Sequence, residues 1–339
     1  MKNYKKSALF VGILVLIACP TFSEELANLQ NSTKKFSDNM AHALPFSSTF
    51  GLNWSDAYIG KIIDLPPHFG AGISTGFTTL DVDSIVGLLK VFNLKAPDTF
   101  TRIDKYFTLP IYAFEGRVGG VILPFDIGFK AGYMPSSLVS KAFDSFNFGY
   151  RQTILGADIR YSLINYKLFP VKLSVGFGFN YLWGDLESDI TAQSFSFINK
   201  NNSSNSINIP ASGSKAALEW RTMSTEFKAH FSFPFKFITP YVGAGVSYAW
   251  SKAGYKVTTT GLSFGNGNVN SVRDVLSEKY GVTEITDMAF RTANKFNNVN
   301  GRAFGGFSLN FVFARLDFTG MYEFIDNNFG ASAGLRFQL

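Results

Sequence analysis

The sequence predicts an all-β fold: a closed antiparallel transmembrane β-barrel of about ten strands (about 8–12 as limits), with long external loops and short periplasmic turns. Three observations carry this expectation. First, the 339-residue chain is 16% aromatic, with 37 Phe and 31 Gly, and only 17% charged. Its longest apolar run, Ser7–Cys19, has 13 residues, short of the roughly 20 that a membrane-crossing helix needs. Second, segment after segment alternates apolar with small or polar residues, the period-2 signature of a wall with lipid on one side. Third, the links between these segments are alternately long and short.

The chain opens with Lys2-Asn3-Tyr4-Lys5-Lys6, followed by apolar Ser7–Ala18 and by Thr21-Phe22-Ser23 before Glu24. This reads as a secretory signal peptide over residues 1–23. Leu16-Ile17-Ala18-Cys19 also resembles a lipobox, in which Cys19 would become the acylated N-terminus. Cys19 is the single cysteine, so a chain cut after Ser23 has no internal disulfide and no cysteine-based metal site or nucleophile. Without Lys2, Lys5 and Lys6 the formal charge of +6 falls to about +3. No remaining Lys/Arg cluster points to nucleic acid.

Residues 24–65 are read as an N-terminal periplasmic extension or plug, and residues 66–339 as the barrel. Leu26, Leu29, Phe36, Met40 and Leu44 have loose helical spacing, and Phe50–Gly60 then leads to Pro66-Pro67. A further strand over 52–63 is an alternative reading of that stretch.

Ten strands follow, at 68–78, 109–119, 123–134, 148–163, 170–184, 217–233, 237–252, 301–313, 315–325 and 329–339. The pattern is clearest where Val171, Leu173, Val175, Phe177, Phe179, Tyr181 and Trp183 oppose Lys172, Ser174, Gly176, Gly178 and Asn180. Tyr181 and Trp183 end that stripe as an interfacial aromatic girdle would. The links at 120–122, 164–169, 234–236 and 314 are short. Those at 79–108, 135–147, 185–216 and 253–300 are long, and Asp326-Asn327-Asn328 is a short exception. Bacterial outer-membrane barrels show this asymmetry, with long links outside.

Phe329, Ala331, Ala333, Leu335, Phe337 and Leu339 alternate to the last residue. This resembles the terminal strand of Gram-negative outer-membrane proteins, although Leu339 stands where Phe or Trp is usual. The resemblance implies localisation in the cell outer membrane. It also implies two partners: outer-membrane lipid, and the barrel assembly machinery through the C-terminal strand. The mature chain is similar in size to the small outer-membrane barrels of the OmpW-like and FadL-like proteins, and FadL-like transporters use an N-terminal hatch.

Ten strands enclose a backbone radius of roughly 10 Å. The lumen parity carries Glu115, Arg117, Asp126, Lys130, Asp158, Arg160, Lys172, Glu226, Lys228, His230, Asp317, Glu323 and Arg336. Opposite signs are interspersed, and the turn near Gly120 should bring Arg117 to Asp126. Such a set either neutralises itself and fills the barrel or lines a narrow polar path. Small residues such as Gly70, Gly72, Gly176, Gly178, Gly243 and Gly245 leave room for water, a ligand or an inserted N-terminal segment.

In the first long link Asp81 can cap a helix whose Val82, Ile85, Leu88, Leu89 and Phe92 share a face. Ile85, Leu88, Leu89 and Phe92 are therefore candidate contacts for a small hydrophobic ligand, or packing over the rim. Asn199–Ser206 reads as a mobile polar loop, and Ser271–Gly281 as a short capped helix.

Catalysis is not expected. Only His42, His68 and His230 are present, and none reaches the outer rim where omptin-like proteases place theirs. His230-Phe231-Ser232 lacks the Gly pattern of the phospholipase barrels. The histidines are too scattered for a metal site, and no cofactor is expected. The expected function is passive passage or capture of a small, hydrophobic molecule. The alternative is a closed structural barrel acting as a surface-interaction protein through its external loops.

Overall fold

The computed structural model describes residues 22–59, 68–91, 106–119, 124–138, 149–165, 171–190, 193–199, 202–210, 213–263, 274, 277, 282–286 and 288–338. Two helices are described from end to end, α1 (Phe22–Ser48) and α2 (Val82–Val91). The strands in chain order are β1 (Phe69–Asp81), β2 (Tyr106–Gly119), β3 (Phe125–Met134), β4 (Gly149–Asn165), β5 (Lys172–Asp189), β6 (Gln193–Asn199) and β7 (Asn202–Ile209). They continue with β8 (Lys215–Ser232), β9 (Ile238–Thr258), β10 (Glu284–Ile285), β11 (Ala289–Asn310), β12 (Ala314–Glu323) and β13 (Phe329–Gln338).

Ten of these make the wall, each antiparallel to its neighbours, in the order β1-β2-β3-β4-β5-β8-β9-β11-β12-β13. The ring closes where β13 meets β1, with Ala71 opposite Phe337 and Thr75 opposite Ala333. Every expected strand is present within a few residues, apart from the β9–β11 hairpin. That hairpin runs on to Thr258 and starts again at Ala289, so much of the expected 253–300 link is wall. The expected polar loop at 199–206 lies largely in the β6–β7 hairpin. Residues 52–59 form no strand. The leader (residues 1–21), Phe92 and nearly all of Ser271–Gly281 lie outside the described residues.

The outward face carries bare aromatic and aliphatic side chains. Phe114, Phe129, Phe177 and Phe227 are each more than half exposed. A band of this kind around a closed wall is lipid-facing surface. Nearer the long links the pattern inverts. On β2 the inward residues Phe107, Leu109, Ile111 and Ala113 are apolar, and below them come Glu115 and Arg117. On β8, Ala216, Leu218 and Trp220 precede Thr222, Ser224, Glu226 and Lys228. Outside, at the same upper level, stand Arg151, Asp185, Glu187, Lys215, Glu219 and Lys256. The inversion marks where the wall leaves the bilayer. Above it water lies outside, so the apolar face must turn inward.

Candidate functional site

The lumen is occupied by the chain's own N-terminal segment. α1 lies at the long-link end. Its Ser37 Oγ donates to the Ala253 carbonyl at 3.2 Å, and Asn298 and Asn300 donate to the carbonyls of Ala41 and His42, both at 3.0 Å. Phe36, Met40, Leu44 and Phe46 are buried in one apolar cluster with Leu80, Leu109, Ile154, Leu182 and Tyr255 of the wall. α2 joins the same cluster through Val82 and Ile85, with the Asp81 carboxylate accepting the Asp83 N–H at 2.9 Å. Ile85 is therefore a packing residue, 2% exposed. Leu88 and Leu89 lie in α2, and nothing is described of their side chains.

Below α1 the chain turns. Gly51 (φ +82°) and Leu52 (φ +57°) both adopt the left-handed region, which a Leu rarely enters. Charged wall residues hold it there. The Leu52 N–H donates to Glu115 at 3.0 Å, and its carbonyl accepts from Lys228 at 3.4 Å. Lys130 donates to the carbonyls of Ser48 (2.8 Å) and Phe50 (2.5 Å), meeting acceptors freed by the end of the helix. Trp54 Nε1 donates to Glu115 at 2.6 Å, and the guanidinium of Arg336 lies 4.7 Å from the Trp54 ring centre. A Cβ at Gly70 would stand 2.8 Å from that ring, so the small residue there makes space for the indole.

The remaining residues down to Ile59 are tied to both sides of the wall. Asp56 pairs with Arg315 (2.6 Å) and Arg336 (2.9 Å), and its carbonyl accepts from Arg160 at 2.7 Å. The Ala57 N–H donates to Ser232 at 3.0 Å and the Ile59 N–H to Asp126 at 3.1 Å. The segment thus passes from the long-link end to the short-turn end, where β1 begins.

Behind it the wall charges pair with one another. Arg117 meets Asp126 at 2.5 Å, as the turn predicts, and Asp158 at 2.9 Å. Arg160 donates twice to Asp126, at 2.8 and 2.7 Å. Lys228 reaches Asp158 at 2.9 Å, Arg302 reaches Glu226 at 2.6 Å, and Arg336 reaches Asp317 at 2.6 Å. Buried ions survive only when paired in this way.

Three expected members sit differently. His230 packs against the rings of Tyr241 (5.2 Å) and Phe304 (5.6 Å) and forms no ion pair among the described residues. Glu323 accepts the N–H groups of Ile325 (2.6 Å) and Asp326 (3.0 Å), so it ties the β12–β13 turn. Lys172 is only partly buried and donates to the Tyr58 carbonyl at 3.4 Å.

Sequence reading missed Arg302, Arg315, Trp54 and Asp56. Arg302 was within reach, because it shares parity with lumen-facing Gly306 and Ser308. Asp56 and Trp54 carry no periodic signal. Among the described residues no group of three His, Cys, Asp or Glu could hold a metal ion.

A family profile described as Lsa36-like matches residues 107–339. The chain belongs to the Lsa36-like family. The Lsa36-like match begins in β2, so α1, residues 49–59 and β1 lie outside it. Among curated proteins none matches the chain. Solved outer-membrane barrels do resemble it. The outer-membrane protease OmpT of Escherichia coli is 11% identical with a TM-score of 0.41, over 82% of this chain and 99% of that one. The attachment invasion locus protein Ail of Yersinia pestis is 7% identical (TM-score 0.27), over 80% of this chain and 99% of that one. The Pseudomonas putida toluene transporter TodX is 9% identical (TM-score 0.26), over 81% and 89%. These likenesses concern the barrel alone. The closed wall and its bare apolar band place this Lsa36-like protein in the outer membrane.

Proposed function

We propose that the protein is a closed outer-membrane barrel that acts as a surface-interaction protein through its external links, and not as an enzyme or an open pore. The observation that carries this reading is the bonding of residues 48–59. Wall residues Glu115, Lys130, Arg160, Arg302, Ser232 and Asp126 each hold part of that stretch. Passage of a small molecule would require these bonds to break together, leaving buried charges without partners. The β6–β7 hairpin and the extended β9–β11 hairpin supply the projecting surface.

Single-channel recording of the refolded full chain in a planar bilayer tests the closure. Silence is expected, and deletion of residues 24–65 should produce discrete steps. Reproducible steps from the intact chain would overturn the closed reading. For the interaction half, bacteria displaying the full chain should adhere to protein-coated surfaces. Replacing residues 193–209 by a short Gly-Ser link should lower adherence while the barrel still folds. Equal adherence would remove that hairpin from the function.

A further inference from the structure

Above the aromatic girdle, three cations stand side by side on the outer wall. Arg221 of β8 is directly opposite Lys252 of β9, and Lys252 is directly opposite Lys295 of β11. All three belong to the outward parity. Like charges in direct cross-strand register destabilise a sheet, so a row of three calls for a compensating anion. None of the three forms an ion pair among the described residues.

The next rows up behave differently. There Arg151 pairs with Asp185 at 2.9 Å, Lys215 with Glu187 at 2.7 Å, and Arg291 with Glu219. Among the described residues the acids nearest the row are therefore already engaged, and the row presents its charge outward from the wall.

The surroundings indicate what supplies it. One step toward the bilayer, Tyr181, Met223 and Trp250 stand opposite one another on β5, β8 and β9. Tyr181 packs on Trp183 and Trp250 on Tyr248, each pair with ring centres 4.9 Å apart. These aromatics mark the interface at the long-link end, which is the external leaflet. A groove of about 400 Å³ runs between the two layers, with Arg221, Lys252 and Lys295 above and Tyr181, Met223 and Trp250 below. Its upper edge is cationic at headgroup level and its floor is apolar at acyl level. Guanidinium and ammonium groups are the side chains that bind phosphate oxygens most strongly.

We infer that this groove binds a phosphate-bearing lipid of the outer leaflet, its phosphate held by Arg221, Lys252 and Lys295 and its acyl chains lying on Tyr181, Met223 and Trp250. The occupant is a membrane lipid and not a free anion, because the apolar floor is continuous with the lipid-facing band. The site lies outside the lumen and does not depend on whether the barrel is closed.

The test uses the refolded full chain in detergent micelles, with bisphosphorylated lipid A, the same lipid after phosphate removal, and inorganic phosphate as probes. Binding is read by native mass spectrometry and by the shift in thermal unfolding. The intact lipid should bind about tenfold more tightly than the dephosphorylated one. The triple variant Arg221→Gln/Lys252→Gln/Lys295→Gln should lose that preference while keeping the gel mobility of a folded barrel. Lys215→Gln, three rows higher on β8, should keep it. Should the triple variant fail to fold, Lys252→Gln alone removes the centre of the row and should lower the preference measurably. The inference fails if both lipids bind the parent equally, if the variants lacking row cations keep the preference, or if millimolar inorganic phosphate displaces the lipid fully.

Discussion

The upper lumen holds α1 with Phe36, Met40, Leu44 and their apolar neighbours; the lower lumen holds residues 49–59 with ion pairs and hydrogen bonds. Both halves are densely filled, but they respond to change in different ways. Apolar packing is non-directional, and losing a methyl group costs in proportion to the space left. A buried charge network is conditional: each member is tolerable only while its partners are present. The lower half therefore selects one path for the segment, and the upper half supplies burial that many similar sequences could supply.

That contrast is most exposed to a change at Asp126. Asp126→Ala takes the carboxylate from Arg160, leaves Arg117 with Asp158 alone, and removes the acceptor of the Ile59 N–H. A loss of about 3–5 kcal/mol is expected, read by urea unfolding of the refolded barrel, together with the appearance of conductance. If the variant stays silent and loses under about 1 kcal/mol, the lower network is not what holds the segment.

Lys130→Met comes next. It frees two carbonyls at the end of α1, which should cost about 1–3 kcal/mol. Cysteine labelling in the 49–59 stretch, with Cys19 replaced, should become faster. Unchanged labelling would show that the helix end is held by its apolar contacts alone.

In the upper half, Ile85→Val should cost only about 0.5–1.5 kcal/mol and leave the bilayer recording silent. Conductance from this variant would erase the distinction between the halves.

The smallest effect is at the outer rim, where α1 brings His42 near Asp326, contrary to the expectation that no histidine would reach it. Partial burial pushes the Asp326 carboxyl above its ordinary value; His42 opposes the rise, and Glu323 and Asp81 add to it. A raised carboxylate favours folding in its protonated form. Its contribution is therefore complete below the unfolded value, about 3.9, and is lost as pH rises through the folded one. The protection factors of the β12–β13 turn amides, relative to their intrinsic exchange rates, should rise slightly on acidification through that window. Asp326→Asn should remove the pH dependence.

The wall was almost wholly legible in the sequence. Period-2 alternation is local, and seven clear repeats of it located most of the wall strands and brought their number to about ten. The Arg117–Asp126 pair was legible too, since a hairpin dictates its own register. The inversion of polarity near the long links was harder to see. Leu109 and Ile111 read as ordinary strand residues, and nothing nearby says that their face has changed from lipid-facing to core. Asp56 and Trp54 were illegible for a stronger reason: they lie in a stretch without period, and their partners Arg315, Arg336 and Glu115 are far away in the chain. Of the two readings of α2, ligand contact and rim packing, Ile85 follows the second, and its covering element, α1, comes from before the barrel.

The path of residues 49–59 has a consequence for how the molecule is made. The segment lies inside a ring whose seam joins β1 to β13, the first wall strand to the last. A chain reaches the inside of a ring in one of two ways: the ring closes around it, or it is drawn through afterwards. Translation completes β13 last, so α1 and its extension exist long before the seam can zip. Enclosure then needs no pulling-through step, and the segment serves as a mandrel on which the final turn of the wall is laid. Closure around the segment would make closure and occupancy one event in the intact chain.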